Sequence, residues 1–109
     1  MKNKIPGKLL KTKYRKDMWE ESEKIIQKLD KVISISSIHL LGSFTTKKKR
    51  PGDVDVIAVI KTKDDKNKKW SIDFQFVPDN QYGELVLSDC KKWMKQKYGA
   101  KNSGFIKIK

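Results

Sequence analysis

The stretch from His39 to Lys61 reads HLLGSFTTKKKRPGDVDVIAVIK, and its order decides the fold. An apolar run closes on Gly42-Ser43, a lysine-rich segment follows, Pro51-Gly52 turns the chain, and a second apolar run opens on two aspartates. Ile33 to Leu41 is rich in β-branched and apolar side chains, which predicts a strand that stops at Gly42. Asp53 to Lys61 predicts a second strand, and its inner part is apolar on both faces, the pattern of a strand covered on both sides.

Working outward, a helix is expected from near Asp17 to near Lys31. Asp17 with Glu20 three residues on has the capping-box pattern, and Glu21 and Glu23 suit the positive end of the helix dipole. Met18, Ser22, Ile25, Leu29 and Val32 recur at helical steps as its apolar stripe. Residues 1–15, with Pro6 and Gly7 among lysines, read as a basic irregular arm anchored by Leu9, Leu10 and Tyr14. Residues 16–109 then read as a single domain. Downstream, Thr62 to Lys69 has loop composition. Trp70 to Val77, WSIDFQFV, alternates between Ile72, Phe74 and Phe76 on one side and Ser71, Asp73 and Gln75 on the other, which predicts a third strand. Pro78-Asp79-Asn80 ends it with turn chemistry. A last helix is expected from about Ser88 to Tyr98, with Gly99 as its C-terminal cap and Cys90, Trp93, Met94 and Tyr98 on its buried face. The alternating tail from Gly104 to Lys109 has the pattern of a short edge strand.

Composition narrows the function classes. The 109 residues carry a net charge of +13. The ends, 1–16 and 91–109, hold seven basic residues each and no acid, so the middle is close to neutral. Basic ends attract phosphate polyanions without reading sequence, although lysines also serve simply to keep a surface soluble. No apolar stretch approaches the length of a membrane span, and no signal-peptide core follows the basic start, so a cytoplasmic protein is expected. The single Cys90 excludes an internal disulfide framework, and one cysteine with one histidine, His39, is too few for a structural zinc site. His39 is expected to be a structural strand residue, and Trp19, Trp70 and Trp93 core or rim residues.

The chemistry points to three carboxylates. Asp53 and Asp55 are two apart, so they project from one face of one strand, and Asp73 stands on the polar side of another. If the strands are neighbours the three converge, and clustered carboxylates repel unless a cation neutralises them. Oxygen-only ligands are hard and select Mg²⁺ or Mn²⁺. Two such ions about 4 Å apart clamp the attacking and leaving oxygens of a phosphoryl or nucleotidyl displacement. A phosphate cradle is expected at Gly42 and Ser43, where glycine permits close backbone approach and serine offers a hydroxyl and an amide, with Lys47 to Arg50 neutralising charge across the loop. Phe44 and Tyr82 are the aromatic candidates for stacking on a base. Taken singly, Asp53 also suits a turn after Pro51-Gly52 and Asp73 a solvated edge-strand position; Asp55 has no such plain explanation.

The sequence L-L-G-S, nine intervening residues, then D-V-D-V-I-A-V-I resembles the signature of the DNA polymerase β nucleotidyltransferase superfamily, with Ile72-Asp73-Phe74 similar to its third-aspartate strand. The closest subgroup is the minimal nucleotidyltransferases, single small domains associated with toxin–antitoxin pairs. This chain differs from many of them after Gly-Ser, with Phe44-Thr45-Thr46-Lys47 in place of an Ala-Arg-Gly stretch. The resemblance implies an α/β (α+β) palm-like domain, a mixed sheet backed by two main helices, that uses Mg²⁺ or Mn²⁺ and an NTP. It further implies that Ser43 contacts the triphosphate, that Asp53 and Asp55 hold the metals, and that Asp73 ligates one metal and activates the acceptor hydroxyl. Gly42, Lys47 and Arg50 complete the expected nucleotide-binding set. The expected function is transfer of a nucleoside monophosphate from an NTP to a hydroxyl of a nucleic acid or a protein, with nucleic acid or a small protein as partner. The competing expectation is a basic nucleic-acid-binding or toxin–antitoxin regulatory module on a degenerate scaffold of the same kind.

Overall fold

A computed structural model describes residues 5–61, 68–99 and 104–109. The fold is α+β, with two helices and two antiparallel strands, and the chain divides into two compact units, Met1–Lys69 and Trp70–Lys109. Among the described residues no helix is long and apolar enough to cross a membrane.

In the first unit a 3-10 turn, Gly7–Leu10, leads into helix α1, Lys13–Val32. The helix starts four residues before Asp17 because Thr12 is a better cap. The Thr12 hydroxyl accepts the Arg15 amide at 3.1 Å, satisfying one of the orphan donors of the first turn. Asp17 instead accepts from Lys13 one turn back at 2.8 Å, and this exposed pair contributes little to stability. The hydrogen bond and the charge of Asp17 raise the Lys13 ammonium above its ordinary value. From Ile5 onward the segment expected as an irregular arm is folded into the unit, with Leu9 buried and Leu10 and Tyr14 half-buried.

The expected stripe of α1 is kept at Met18, Ser22 and Leu29, all half-buried, and is lost at Ile25 and Val32. Arg15, Trp19 and Ile26 are buried and Ser22 and Leu29 half-buried, again a spacing of threes and fours. Ile25 is exposed, and Val32 is 84% exposed. The stripe is set by its N-terminal members, because Arg15 and Trp19 both reach Phe44. Trp19 stacks on that ring with centroids 6.4 Å apart.

Strand β1, Ile35–Leu41, pairs with β2, Asp55–Ile60, in antiparallel register that sets Leu41 opposite Asp55, Leu40 opposite Val56 and Ile38 opposite Ala58. Directly paired residues share a face. The face holding Ile38 and Leu40 packs against Leu9, Trp19, Ile26 and Phe44, the core of the unit. The opposite face holds Asp55, Ile57, His39 and Ser37, and His39 sits 3.1 Å from the Ser37 hydroxyl. Every residue of β2 is exposed, which corrects the expectation of a strand covered on both faces. Its apolar residues are shared between two faces, and β1 is its only ladder partner among the described residues.

The second unit holds α2, Gln81–Tyr98, which starts well before Ser88. Asn80, read as a turn residue, is the cap: its side chain accepts the Gly83 amide at 3.1 Å. Gly83 is buried because the first turn of α2 lies against the Pro78 carbonyl, where any Cβ would collide with it. Gly99 ends the helix at φ +85°, as its sequence position predicts, and its amide donates to the Lys95 carbonyl. The buried face expected of this helix is not found. Cys90, Trp93 and Tyr98 are exposed and Met94 half-buried, with the Lys97 ammonium 4.9 Å from the Trp93 ring centroid.

Trp70 to Val77 and Gly104 to Lys109 carry no ladder, so neither expected strand is present. Alternation survives locally, since the Phe74 and Phe76 rings, two residues apart, stack at 6.0 Å with planes 3° apart. Neither segment is paired into the two-stranded sheet among the described residues, and an alternating stretch outside a sheet is extended chain. The expected loop from Thr62 to Lys69 lies mostly outside the described residues.

Candidate functional site

The site is built where β1 ends. Gly42 adopts φ +81°, a left-handed conformation that disfavours any side chain, and a Cβ added there would land on the Asp55 carboxylate. Two constraints thus select glycine at one position, and the second is a functional group. The register explains it: Asp55 opens β2 opposite Leu41, so its carboxylate lies against the next residue along β1. Asp53 precedes β2 and is exposed; Val54 between them packs toward the core. Neither Asp53 nor Asp55 has a hydrogen-bond or ion-pair partner among the described residues. Each is an unpartnered, solvent-accessible carboxylate, a hard oxygen donor of the type that suits Mg²⁺ or Mn²⁺. Asp73 is exposed in the second unit. Within each unit, among the described residues, no three acidic, histidine or cysteine side chains gather as one metal-binding group.

After Gly42 the chain winds into a 3-10 turn, Ser43–Thr45, closed by its own threonines. The Thr45 hydroxyl donates to the Gly42 carbonyl at 2.7 Å and the Thr46 hydroxyl to the Ser43 carbonyl at 2.6 Å. These two hydroxyls are consumed by the turn, whereas the Ser43 hydroxyl takes part in no hydrogen bond among the described residues. Ser43 is half-buried and Lys47 exposed. Phe44, a candidate for stacking on a base, is 0% exposed and is a core residue. Its turn sits at the lip of the core, and ring burial outweighs any surface role. Tyr82 is exposed on α2.

Sequence reasoning missed the element that holds this loop. Arg15, counted among the basic residues of a solvated arm, is 4% exposed. Its guanidinium donates to the carbonyls of Leu9 at 3.4 Å, Phe44 at 2.8 Å, Thr46 at 2.7 Å and Lys48, and lies 5.1 Å from the Phe44 ring centroid. No carboxylate takes part. A planar fork of five donors suits several converging carbonyls in a way that an ammonium does not. One residue earlier, the Tyr14 hydroxyl donates to the Pro51 carbonyl at 2.8 Å, and the Arg50 guanidinium lies 4.4 Å from the Tyr14 ring centroid. Arg50, expected to bind nucleotide, therefore stacks on α1 at the far end of the loop, and Pro51 beside it is fully buried. A sequence signal for this existed. The chain has only two arginines among its 26 basic residues, and both lie on this loop and the helix start that holds it.

Fold and site together define an α+β protein in which the Asp55 carboxylate is set against the glycine of a glycine-serine turn. The chain belongs to a family of unknown function (DUF6932), whose model matches residues 3–108. No curated protein and no solved structure matches it.

Proposed function

We propose that this protein is a metal-dependent nucleotidyltransferase that transfers a nucleoside monophosphate from an NTP to a hydroxyl of a nucleic acid or a protein acceptor. The observation that supports the reading best is the Asp55 carboxylate lying where a Gly42 Cβ would stand, because it brings a metal-ligand type to the residue that precedes Ser43, a phosphate-ligand type. In this reading Asp53 and Asp55 hold Mg²⁺ or Mn²⁺. The ion supplies charge neutralisation at the transferring phosphoryl group. Gly42 admits the triphosphate close to the backbone, Ser43 donates its free hydroxyl to a phosphate oxygen, and Lys47 offsets phosphate charge from the exposed side of the loop. Asp73 is the third carboxylate of the proposal and accepts the proton of the acceptor hydroxyl. The basic ends retain a polyanionic acceptor through salt-dependent attraction.

The test is incubation of the protein with each labelled NTP, Mg²⁺ and a panel of RNAs and proteins. Label is expected to move to an acceptor in the wild type and to be lost in Asp53→Asn, Asp55→Asn and Asp73→Asn. Equal transfer in the three variants overturns the assignment. RNA binding that falls with salt, survives all three substitutions and comes with no transfer assigns the protein to the nucleic-acid-binding alternative.

A further inference from the structure

The loop from Gly42 to Pro51 is held at both ends by consecutive residues of one helical turn, and the way it is held gives it polarity. Arg15 gathers the carbonyls of Phe44, Thr46 and Lys48 onto one buried cation. No peptide bond described here is cis. In a trans peptide the carbonyl and the following amide point in opposite directions. Turning the carbonyls of Thr46 and Lys48 inward therefore turns the amides of Lys47 and Lys49 outward. The side chains of Lys47, Lys48 and Lys49 are exposed. The positive ends of the peptide dipoles and the lysine ammoniums thus share the solvent side of the loop, while the negative ends are neutralised by Arg15 within the unit. The Lys48 amide between them donates to the Thr46 hydroxyl at 3.2 Å, so two alternate amides, with the lysine ammoniums beside them, are the donors this side offers to an anion. Tyr14 fixes the exit of the same loop at Pro51.

We propose that Arg15, assisted by Tyr14, is a positioning residue for polyphosphate. It touches no substrate; it orients the Gly42–Pro51 loop so that the outward amides and side chains of Lys47 and Lys49 receive the β- and γ-phosphates beside Ser43. This rests on the proposed nucleotidyltransferase function. It also accounts for an arginine where the surrounding positions carry lysine, since a lysine supplies the charge but cannot hold several carbonyls in one plane.

The experiment measures binding of inorganic tripolyphosphate, in the presence of Mg²⁺, to the wild type, Arg15→Lys, Tyr14→Phe and Asp55→Asn by titration calorimetry at a temperature well below unfolding. Circular dichroism checks the fold, and trypsin cleavage after Lys47, Lys48 and Lys49 reads the loop. Arg15→Lys is expected to keep its helical signal, to be cut faster at the loop, and to bind tripolyphosphate roughly tenfold more weakly, a change of about 1.4 kcal/mol. Tyr14→Phe, which removes one hydroxyl from a half-buried site, is expected to shift both readouts the same way by a smaller factor, and it carries the test should Arg15→Lys not fold. A merely structural role lowers the melting temperature but leaves affinity unchanged, so wild-type affinity in a folded Arg15→Lys, or in Tyr14→Phe if that is the only folded variant, overturns the positioning role alone. Absence of binding by the wild type overturns the nucleotidyltransferase reading and this role together. Binding by the wild type that is lost in Asp55→Asn keeps that reading whatever Arg15 does.

Discussion

The loop Gly42–Pro51 and the segment Trp70–Val77 invert what their compositions suggest. The loop carries the longest unbroken run of basic residues, Lys47 to Arg50, yet it contains Phe44 and Pro51, the largest fully buried side chains among the described residues. Trp70–Val77 is aromatic and apolar at alternate positions, yet Phe74 is 76% exposed and Ile72 and Phe76 are exposed with it. Burial follows the supply of partners for the backbone as well as the hydrophobicity of side chains. The loop carbonyls are collected by Arg15 and its turn is closed by threonine hydroxyls, so two apolar side chains can be buried without orphaning polar groups. Among the described residues Trp70–Val77 is not part of the two-stranded sheet, and Ile72, Phe74 and Phe76 remain at the surface.

The comparison breaks most severely at Phe44. Phe44→Ala removes a fully buried ring that touches both Trp19 and Arg15, and it is expected to cost about 3–5 kcal/mol in denaturant unfolding of the first unit. A loss within the scatter of surface substitutions means that the loop does not seal the core. Gly42→Ala comes next. The positive-φ extended backbone alone costs a methyl-bearing residue about 1–3 kcal/mol, and the new Cβ must also displace the Asp55 carboxylate. Loss of Mg²⁺-dependent nucleotide binding alongside that modest destabilisation is the expected pair of results; unchanged binding separates Asp55 from the turn. The smallest effect is expected in the other region. Phe74→Ser changes an exposed side chain and is predicted to move stability by no more than about 0.5 kcal/mol in the same unfolding measurement, while raising solubility. A loss several times larger shows that the segment is buried in solution, against a partner or a strand edge.

Much of this organisation was legible in the chain. The strand that stops at Gly42, a second strand after Pro51-Gly52 (opening at Asp55, two residues later than expected), the existence of two helices and the Gly99 cap all follow from local periodicity and backbone preference. The helix starts were misplaced because caps compete. Thr12 and Asn80 each bind an amide of the following turn, and nothing in one-dimensional spacing ranks Thr12 above Asp17 or makes Asn80 a cap and not a turn residue. Of the candidate site, Gly42, Ser43, Asp53 and Asp55 were readable because residue type and spacing express their chemistry directly. Arg15 and Tyr14 were not, because an arginine in a lysine-rich arm looks like one more surface charge until its acceptors, 29 to 33 residues away in the chain, are brought to it.

The sequence by itself determined the α+β class, a glycine-serine turn after one strand, an aspartate pair two residues apart at the start of the next, and a charge gathered at the two ends, because residue type and local spacing express each of them. Only the tertiary structure decided that Phe44 is core and not a stacking surface, that Arg50 lies over Tyr14, and that the basic loop has an inner side of carbonyls and an outer side of amides and lysines. Those are consequences of long-range hydrogen bonds to a single buried guanidinium. Such bonds form only where the fold excludes water and brings distant carbonyls to within about 3 Å of one cation.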